Sequence, residues 1–295
     1  MSLKYEPQDI QSRIIRAVPN VITGFYDRPD NASSLIRVAL LDTETTGLDT
    51  SAAEIIELGY MIVEVSAETG QFFDVLNRFN QLQEPSAPLS QDIIDVTGLS
   101  DADLAGQSID WEQVESDLQS VSIIVAHNAG FDRKMLERYS AVSAGKLWGC
   151  SVNDVDWKSM GSKNRSQEWL VYSIAGAYYS AHRALDDVSA LGLLLSRKIP
   201  GTEEYIFKQL LARAQEDLCI LKATDSRFEE KDQLKAAGYR WNAGERVWCK
   251  EVLASDLEAR RDELKSELMI AAPSCNPRIG RVPALHRYSV RAGSQ

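Results

Sequence analysis

The sequence predicts an α/β protein: a mixed five-stranded sheet flanked by helices, followed by a small α+β C-terminal domain. Three observations carry that expectation. Apolar, β-branched runs at 36–41, 55–65 and 72–79 come before any long helical pattern, and later apolar runs alternate with helical ones. Strands first, then strands alternating with helices, point to a sheet of mixed strand directions. After Pro200 the composition shifts and a second, shorter pattern begins.

Each element has its own reason. Residues 1–35 are mixed and hold Pro19, Pro29 and Asn31, so they read as an N-terminal extension with one short helix. Residues 36–41 form an apolar first strand, and 55–65 a second. Glu68-Thr69-Gly70 is a turn, which makes 72–79 a third strand antiparallel to the second. Pro85 and Pro88 break the pattern before short helices at 90–96 and 101–104. Trp111, Val114 and Leu118 recur at helical spacing over 111–118. Residues 121–126 are a buried strand, a helix follows from about Phe131, and 150–152 supply a fifth strand. Residues 168–178 and 184–195 read as helices. The first domain, 36–200, thus gives way to a linker helix at 203–214 and an accessory domain within 201–270. There, 231–237 is helical, Asn242-Ala243-Gly244-Glu245 is the turn of a hairpin, and 253–269 is a last helix. From 271 to 295 there are three prolines, four arginines and no acids, so a basic, disordered tail is expected.

Charge narrows the function classes. The chain carries −11 overall; residues 1–214 hold −12 and residues 215–295 hold +1. So acidic a first part argues against phosphate binding by charge alone, and suits a site whose acids hold cations. Most of the acids are a solvated surface. Cys150, Cys219, Cys249 and Cys275 form no CxxC pair, which suggests neither zinc nor a disulfide framework, and fits reduced thiols in a cytoplasmic protein. No apolar run approaches the length of a membrane span, and the first residues lack a signal peptide's apolar core.

Three clusters carry chemistry. In ALLDTETTGL, Asp42 and Glu44 follow an apolar strand, and residues two apart on a strand share a face. Carboxylates held together there select hard cations, and without one their repulsion would raise a pKa. A helix cap or an exposed loop would also explain the pair. Next, His127-Asn128-Ala129-Gly130-Phe131-Asp132 ends a buried strand and begins a helix, where an acid also suits the helix dipole. Finally, His182-Arg183-Ala184-Leu185-Asp186-Asp187 opens another helix. A lone histidine there is compatible with a structural role, and Asp186 with capping.

In this order and at these separations, DxE, HNxxFD and HxxxxD resemble the DEDDh group of 3′–5′ exonucleases, similar to the proofreading epsilon subunit of bacterial DNA polymerase III. The resemblance covers roughly 36–200 and extends to Glu54-Ile55-Ile56-Glu57-Leu58-Gly59 and Val96-Thr97-Gly98-Leu99. It implies an RNase H-like sheet. It implies two Mg²⁺ or Mn²⁺ ions held by Asp42, Glu44, Asp132 and Asp187, with His182 as general base. Thr45 and Leu48 would contact the terminal nucleotide, while Asn128 and Phe131 would shape the site. The reaction implied is hydrolysis from the 3′ end of DNA, or RNA, to 5′-mononucleotides. The partners implied are single-stranded 3′ ends and a DNA polymerase or another replication or repair protein, with no membrane. Charge balance agrees, since four acids call for about two divalent cations.

Two alternatives stand beside this. ALLDTET is also similar to haloacid dehalogenase-type phosphatases, in which Asp42 would be a nucleophile and Asp186-Asp187 the metal pair. That reading leaves HNAGFD and His182 unexplained. A catalytically idle module that binds nucleic acid or a polymerase is the other. In the C-terminal domain, Tyr239, Trp241 and Trp248 beside arginines would stack on single-stranded bases or, on the simpler reading, pack a small core.

Overall fold

The computed structural model describes residues 16–19, 22–29 and 34–293. Most of the N-terminal extension, with the helix expected there, lies outside the described residues. The first half of the chain holds β1 (Arg16–Ala17), β2 (Leu35–Thr45), β3 (Ile55–Ser66), β4 (Phe72–Leu82), α1 (Gln91–Thr97), α2 (Asp101–Leu104) and α3 (Trp111–Gln119). Then come β5 (Ile123–Ala126), α4 (Ala129–Leu136), α5 (Ala141–Ala144), β6 (Leu147–Cys150), α6 (Gln167–Leu170), β7 (Ala177–Tyr178) and α7 (Ala184–Leu195). The remainder is α8 (Ile206–Ala214), β8 (Leu218–Thr224), α9 (Lys231–Ala236), β9 (Arg240–Asn242), β10 (Val247–Leu253), α10 (Ala254–Ala271) and β11 (Asn276–Val282).

The expected mixed five-stranded sheet is present, in the order β4-β3-β2-β5-β6. β2–β3 and β3–β4 pair antiparallel, and β5–β6 parallel. By its internal packing the chain divides into two units, one within 1–48, 53–109 and 156–208, the other within 49–52, 110–155 and 209–295.

In the first unit, β3 is buried along nearly its whole length, as a strand covered on both faces must be. Val188, Leu191, Leu194 and Leu195 of α7 are buried, and this helix packs on β2 and β3. Each such side chain contributes roughly 1.5–3 kcal/mol by leaving water. Tyr60 and Phe79 stack across β3 and β4, 4.6 Å between ring centres. The expected helix over 168–178 is corrected. Only Gln167–Leu170 is α-helical; a π turn follows at Val171–Ala175, Gly176 turns left-handed at φ 68°, and β7 begins. A left-handed glycine ends a helix because no Cβ penalises that conformation.

In the second unit the fifth strand is β6, Leu147–Cys150, a few residues earlier than expected. The C-terminal part is a four-stranded antiparallel sheet, β11-β8-β10-β9, with the expected hairpin between β9 and β10. Tyr239 and Trp248 are buried with Leu234, Leu257, Leu264 and Leu268, which is the small-core reading. Trp241 departs from it, being 51% exposed although it meets Trp248 edge-on. The disordered tail is also corrected. β11 pairs along the edge of this sheet from Asn276 to Val282, and 3₁₀ turns follow at Ala284–His286 and Val290–Gly293. Pro277 is tolerated because an edge strand has one side with no ladder to serve.

Candidate active site

Asp42 and Glu44 both lie inside β2 and share a face. Asp42 stands in register with Gly59 of β3, and Glu44 with Glu57. The register slips between Glu44 and Thr45. Such a bulge bends the strand's end and re-aims the side chains there. Thr45 is buried, and its hydroxyl donates to the carbonyl of Gly47 at 2.8 Å. Leu48, just past the strand, is 89% exposed, an apolar side chain left in water.

The third acid arrives on α7, and a glycine lets it come close. A Cβ on Gly59 would lie 2.8 Å from backbone atoms of Ala184 and Leu185, so only glycine admits the first turn of α7 against β3 at the residue opposite Asp42. An ion pair fixes the same helix end. Arg183 donates from Nε and Nη2 to the two oxygens of Glu57, 3.1 Å each, and Glu57 also accepts from Asn80 Nδ2 and the backbone N–H of Ala184. Glu57 is fully buried, and this forked, four-donor arrangement is what makes a buried carboxylate tolerable. The result is that carboxylate oxygens of Asp42, Glu44 and Asp187 lie within 4.8 Å of one another.

Asp187 is held by neutral donors. Tyr179 donates its hydroxyl to Oδ1 at 2.8 Å, Gln167 Nε2 reaches the same oxygen at 3.3 Å, and the backbone N–H of His182 donates to Oδ2 at 2.8 Å. Gln167 Nε2 also donates to the carbonyl of Asp187 at 2.8 Å. Burial pushes the Asp187 carboxyl up, against the opposing pull of the Tyr179 hydroxyl and the His182 N–H. Burial, and then the neighbouring Asp187 charge, push the Tyr179 phenol up, so it remains a donor. Three convergent carboxylates fit hard, oxygen-seeking dications such as Mg²⁺ or Mn²⁺.

His182 is exposed, and its backbone is left-handed at φ 70°, a conformation that costs a non-glycine residue about 1–2 kcal/mol. The hydrogen bond from its N–H to Asp187 helps to hold that shape. Asp186, one residue before Asp187, is exposed and is not one of the three converging acids. In the second unit, Asp132 is buried in the first turn of α4. Asn128 is the exposed residue before that helix, and its carbonyl accepts from the N–H of the half-buried Phe131 at 2.7 Å. His127 Nδ1 meets Ser151 Oγ at 2.7 Å.

Sequence reasoning missed Tyr179, Gln167 and the pairing of Arg183 with Glu57. Gln167 and Tyr179 flank the stretch 168–178 that reads as one helix, so nothing in the sequence turns them toward Asp187. Glu57 did leave a signal: an acid near the start of the apolar run 55–65, where a buried charge is stable only when paired.

A family model described as Exonuclease (RNase_T) matches residues 39–195, more than half of the 295 residues. A DNA polymerase III PolC-type of Halalkalibacterium halodurans is 30% identical over 172 residues, 56% of this chain and 11% of the relative. The protein of the same name from Thermotoga maritima is 29% identical over 192 residues, 60% of this chain and 13% of the relative. The chain therefore spans about a tenth of the length of these relatives. Among solved structures, Exonuclease X in complex with 5′ overhanging duplex DNA has a TM-score of 0.42 and 21% identity, covering 58% of this chain and 99% of that one. A 3′-exonuclease recognising the 3′ end of a histone mRNA stem-loop has a TM-score of 0.45 and 15% identity, covering 59% of this chain and 85% of that one.

Proposed function

The chain belongs to the exonuclease family, and from that premise we propose that it is a metal-dependent 3′–5′ exonuclease that releases 5′-mononucleotides. One observation carries the reading: the carboxylates of Asp42, Glu44 and Asp187, from two separate elements, converge within 4.8 Å. Asp132 is the fourth carboxylate of the proposal, on the strength of the HNxxFD motif. Two Mg²⁺ or Mn²⁺ ions held by these four acids would neutralise the phosphodiester and lower the pKa of the attacking water. His182 would take the proton from that water, and its exposure suits a group that must approach substrate and then release a proton. Thr45 and Leu48 receive the terminal nucleotide, with Leu48 offering an apolar surface to the last base. Asn128 and Phe131 shape the site at the start of α4.

DNA is the proposed substrate in preference to RNA, and a single-stranded 3′ end in preference to a duplex. The matched relatives are named as DNA polymerases. A DNA polymerase or another replication or repair protein is accordingly the proposed partner class, and the cytoplasm the proposed location. No helix among the described residues is long and apolar enough to cross a membrane.

The test compares labelled single-stranded DNA, double-stranded DNA and RNA in Mn²⁺. We expect 5′-mononucleotides, fastest from single-stranded DNA, and a loss of at least about 10³-fold in Asp42→Asn, since a metal site supplies several kcal/mol of transition-state stabilisation. No mononucleotide from any of the three substrates would overturn the proposal.

A further inference from the structure

Within the second unit, the segment after β11 is bound to α4, the helix that carries Asp132. Arg133, next to Asp132, is fully buried. Its guanidinium donates to the carbonyl of Arg287 at 2.7 Å, the carbonyl of Leu285 at 2.9 Å, the carbonyl of Ala144 at 3.3 Å and Glu137 Oε1 at 2.7 Å. Two of the four acceptors thus come from backbone about 150 residues further along the chain. On the other side of Asp132, a Cβ on Gly130 would stand 4.0 Å from Cδ1 of Tyr288, so the tyrosine ring lies along the first turn of α4.

The segment is itself anchored. Arg287 Nη2 and the Tyr288 hydroxyl take the two oxygens of buried Asp154, and Arg287 Nη1 donates to the carbonyl of Arg213. Arg291 Nη2 shares Glu137 Oε1 and the carbonyl of Ala144 with Arg133. Tyr288 holds a left-handed backbone, φ 67°. A non-glycine residue keeps such a shape only where its surroundings over-determine it, and such residues gather at functional sites.

We propose that residues 284–291 are a positioning strap: by bracketing Asp132 between Tyr288 on Gly130 and the two carbonyls on Arg133, they present its carboxylate in one orientation. This rests on Asp132 being a metal ligand. Arg133 and Tyr288 are positioning residues, since neither is a member of the acid set. The accessory domain then matters to chemistry through its last strand and the segment beyond it, so removing 215–295 should impair chemistry.

The test uses the full chain with Asp154→Asn, Tyr288→Ala and Arg291→Ala, and Trp241→Ala as a control elsewhere in the accessory domain. The readouts are kcat, KM and the Mn²⁺ concentration giving half-maximal activity. Residues that orient a metal ligand typically change metal affinity or activity about 10–100-fold. We expect a rise of about ten-fold in half-saturating Mn²⁺ for Asp154→Asn and Tyr288→Ala, with KM for DNA unchanged, a smaller rise for Arg291→Ala, and none for Trp241→Ala. A loss of stability with metal dependence unchanged would overturn the strap and leave a plain structural role. Should the two buried substitutions fail to fold, Arg291→Ala, whose side chain is partly exposed, decides by the same readout. Amide hydrogen exchange in α4 gives a second reading that needs no turnover: faster exchange in folded variants supports the strap, and unchanged exchange overturns it. If the parent enzyme releases no nucleotide, the proposed function fails first, and the exchange result still judges the strap.

Discussion

Asp187, half-buried, and Asp154, buried, are both aspartates with a tyrosine hydroxyl on one oxygen, and they differ further in what completes them. Asp187 is completed by an amide and a backbone N–H, all neutral donors. Asp154 is completed by the guanidinium of Arg287. A carboxylate matched to a guanidinium has its charge cancelled and becomes a structural joint. One held by neutral dipoles is oriented but keeps its charge for a cation. The lesson is that the partner's charge separates an acid that anchors a neighbouring segment from one left open to a cation.

The comparison breaks first at His182. If the charge-retaining cluster is catalytic, His182→Ala should slow nucleotide release roughly 10²–10⁴-fold while Mn²⁺ binding survives. Full activity in that variant, on a 3′-ended oligonucleotide, would remove histidine from the mechanism.

Metal and pH come next. Mn²⁺ at about 100 times its Kd should stabilise the fold by about 2.7 kcal/mol in urea titrations. Asp187→Asn should erase most of that gain, whereas Asp154→Asn, with its roughly ten-fold weaker Mn²⁺ binding, should keep about half of it, about 1.4 kcal/mol, in spite of a lower baseline. In chelator, burial raises the Asp187 carboxyl above its ordinary value of about 3.9. The native state then holds a proton that the unfolded state has released, so stability falls as pH rises from that ordinary value through the raised one. Saturating Mn²⁺ should abolish this fall. A chelated protein whose stability rises over the same window would contradict the assignment.

The smallest effect sharpens the role of the neutral donors. Tyr179→Phe should raise half-saturating Mn²⁺ or lower kcat by about 10–100-fold, as for other groups that orient a ligand. An unchanged metal titration would mean that Gln167 and the His182 N–H suffice.

The acids were legible because their chemistry leaves little choice. A strand alternates faces, so Asp42 and Glu44 must project together. A helix opened by an acid, as at Asp132 and Asp187, is equally visible. The supports were not. Tyr179 depends on a π turn and a left-handed Gly176, which the apolar spacing of 168–178 conceals. The Arg183–Glu57 pair joins positions 126 residues apart. β11 was obscured by its own composition, for prolines and arginines without acids resemble a solvated tail until an edge strand gives them a place. The arginines there are chiefly partners for Asp154, Asp217 and Glu137.

Gly59 sets the gauge of the cluster. The gap between the helix and the strand opposite Asp42 is only as wide as one hydrogen atom permits, so the spacing of ligands drawn from the two elements is ruled by a side chain that is missing. A methyl group there would act as a shim, widening the cage and moving its preference from small, strictly octahedral ions toward larger and more forgiving ones. On the proposed function, ion choice would thus be adjustable from a residue outside the acid set.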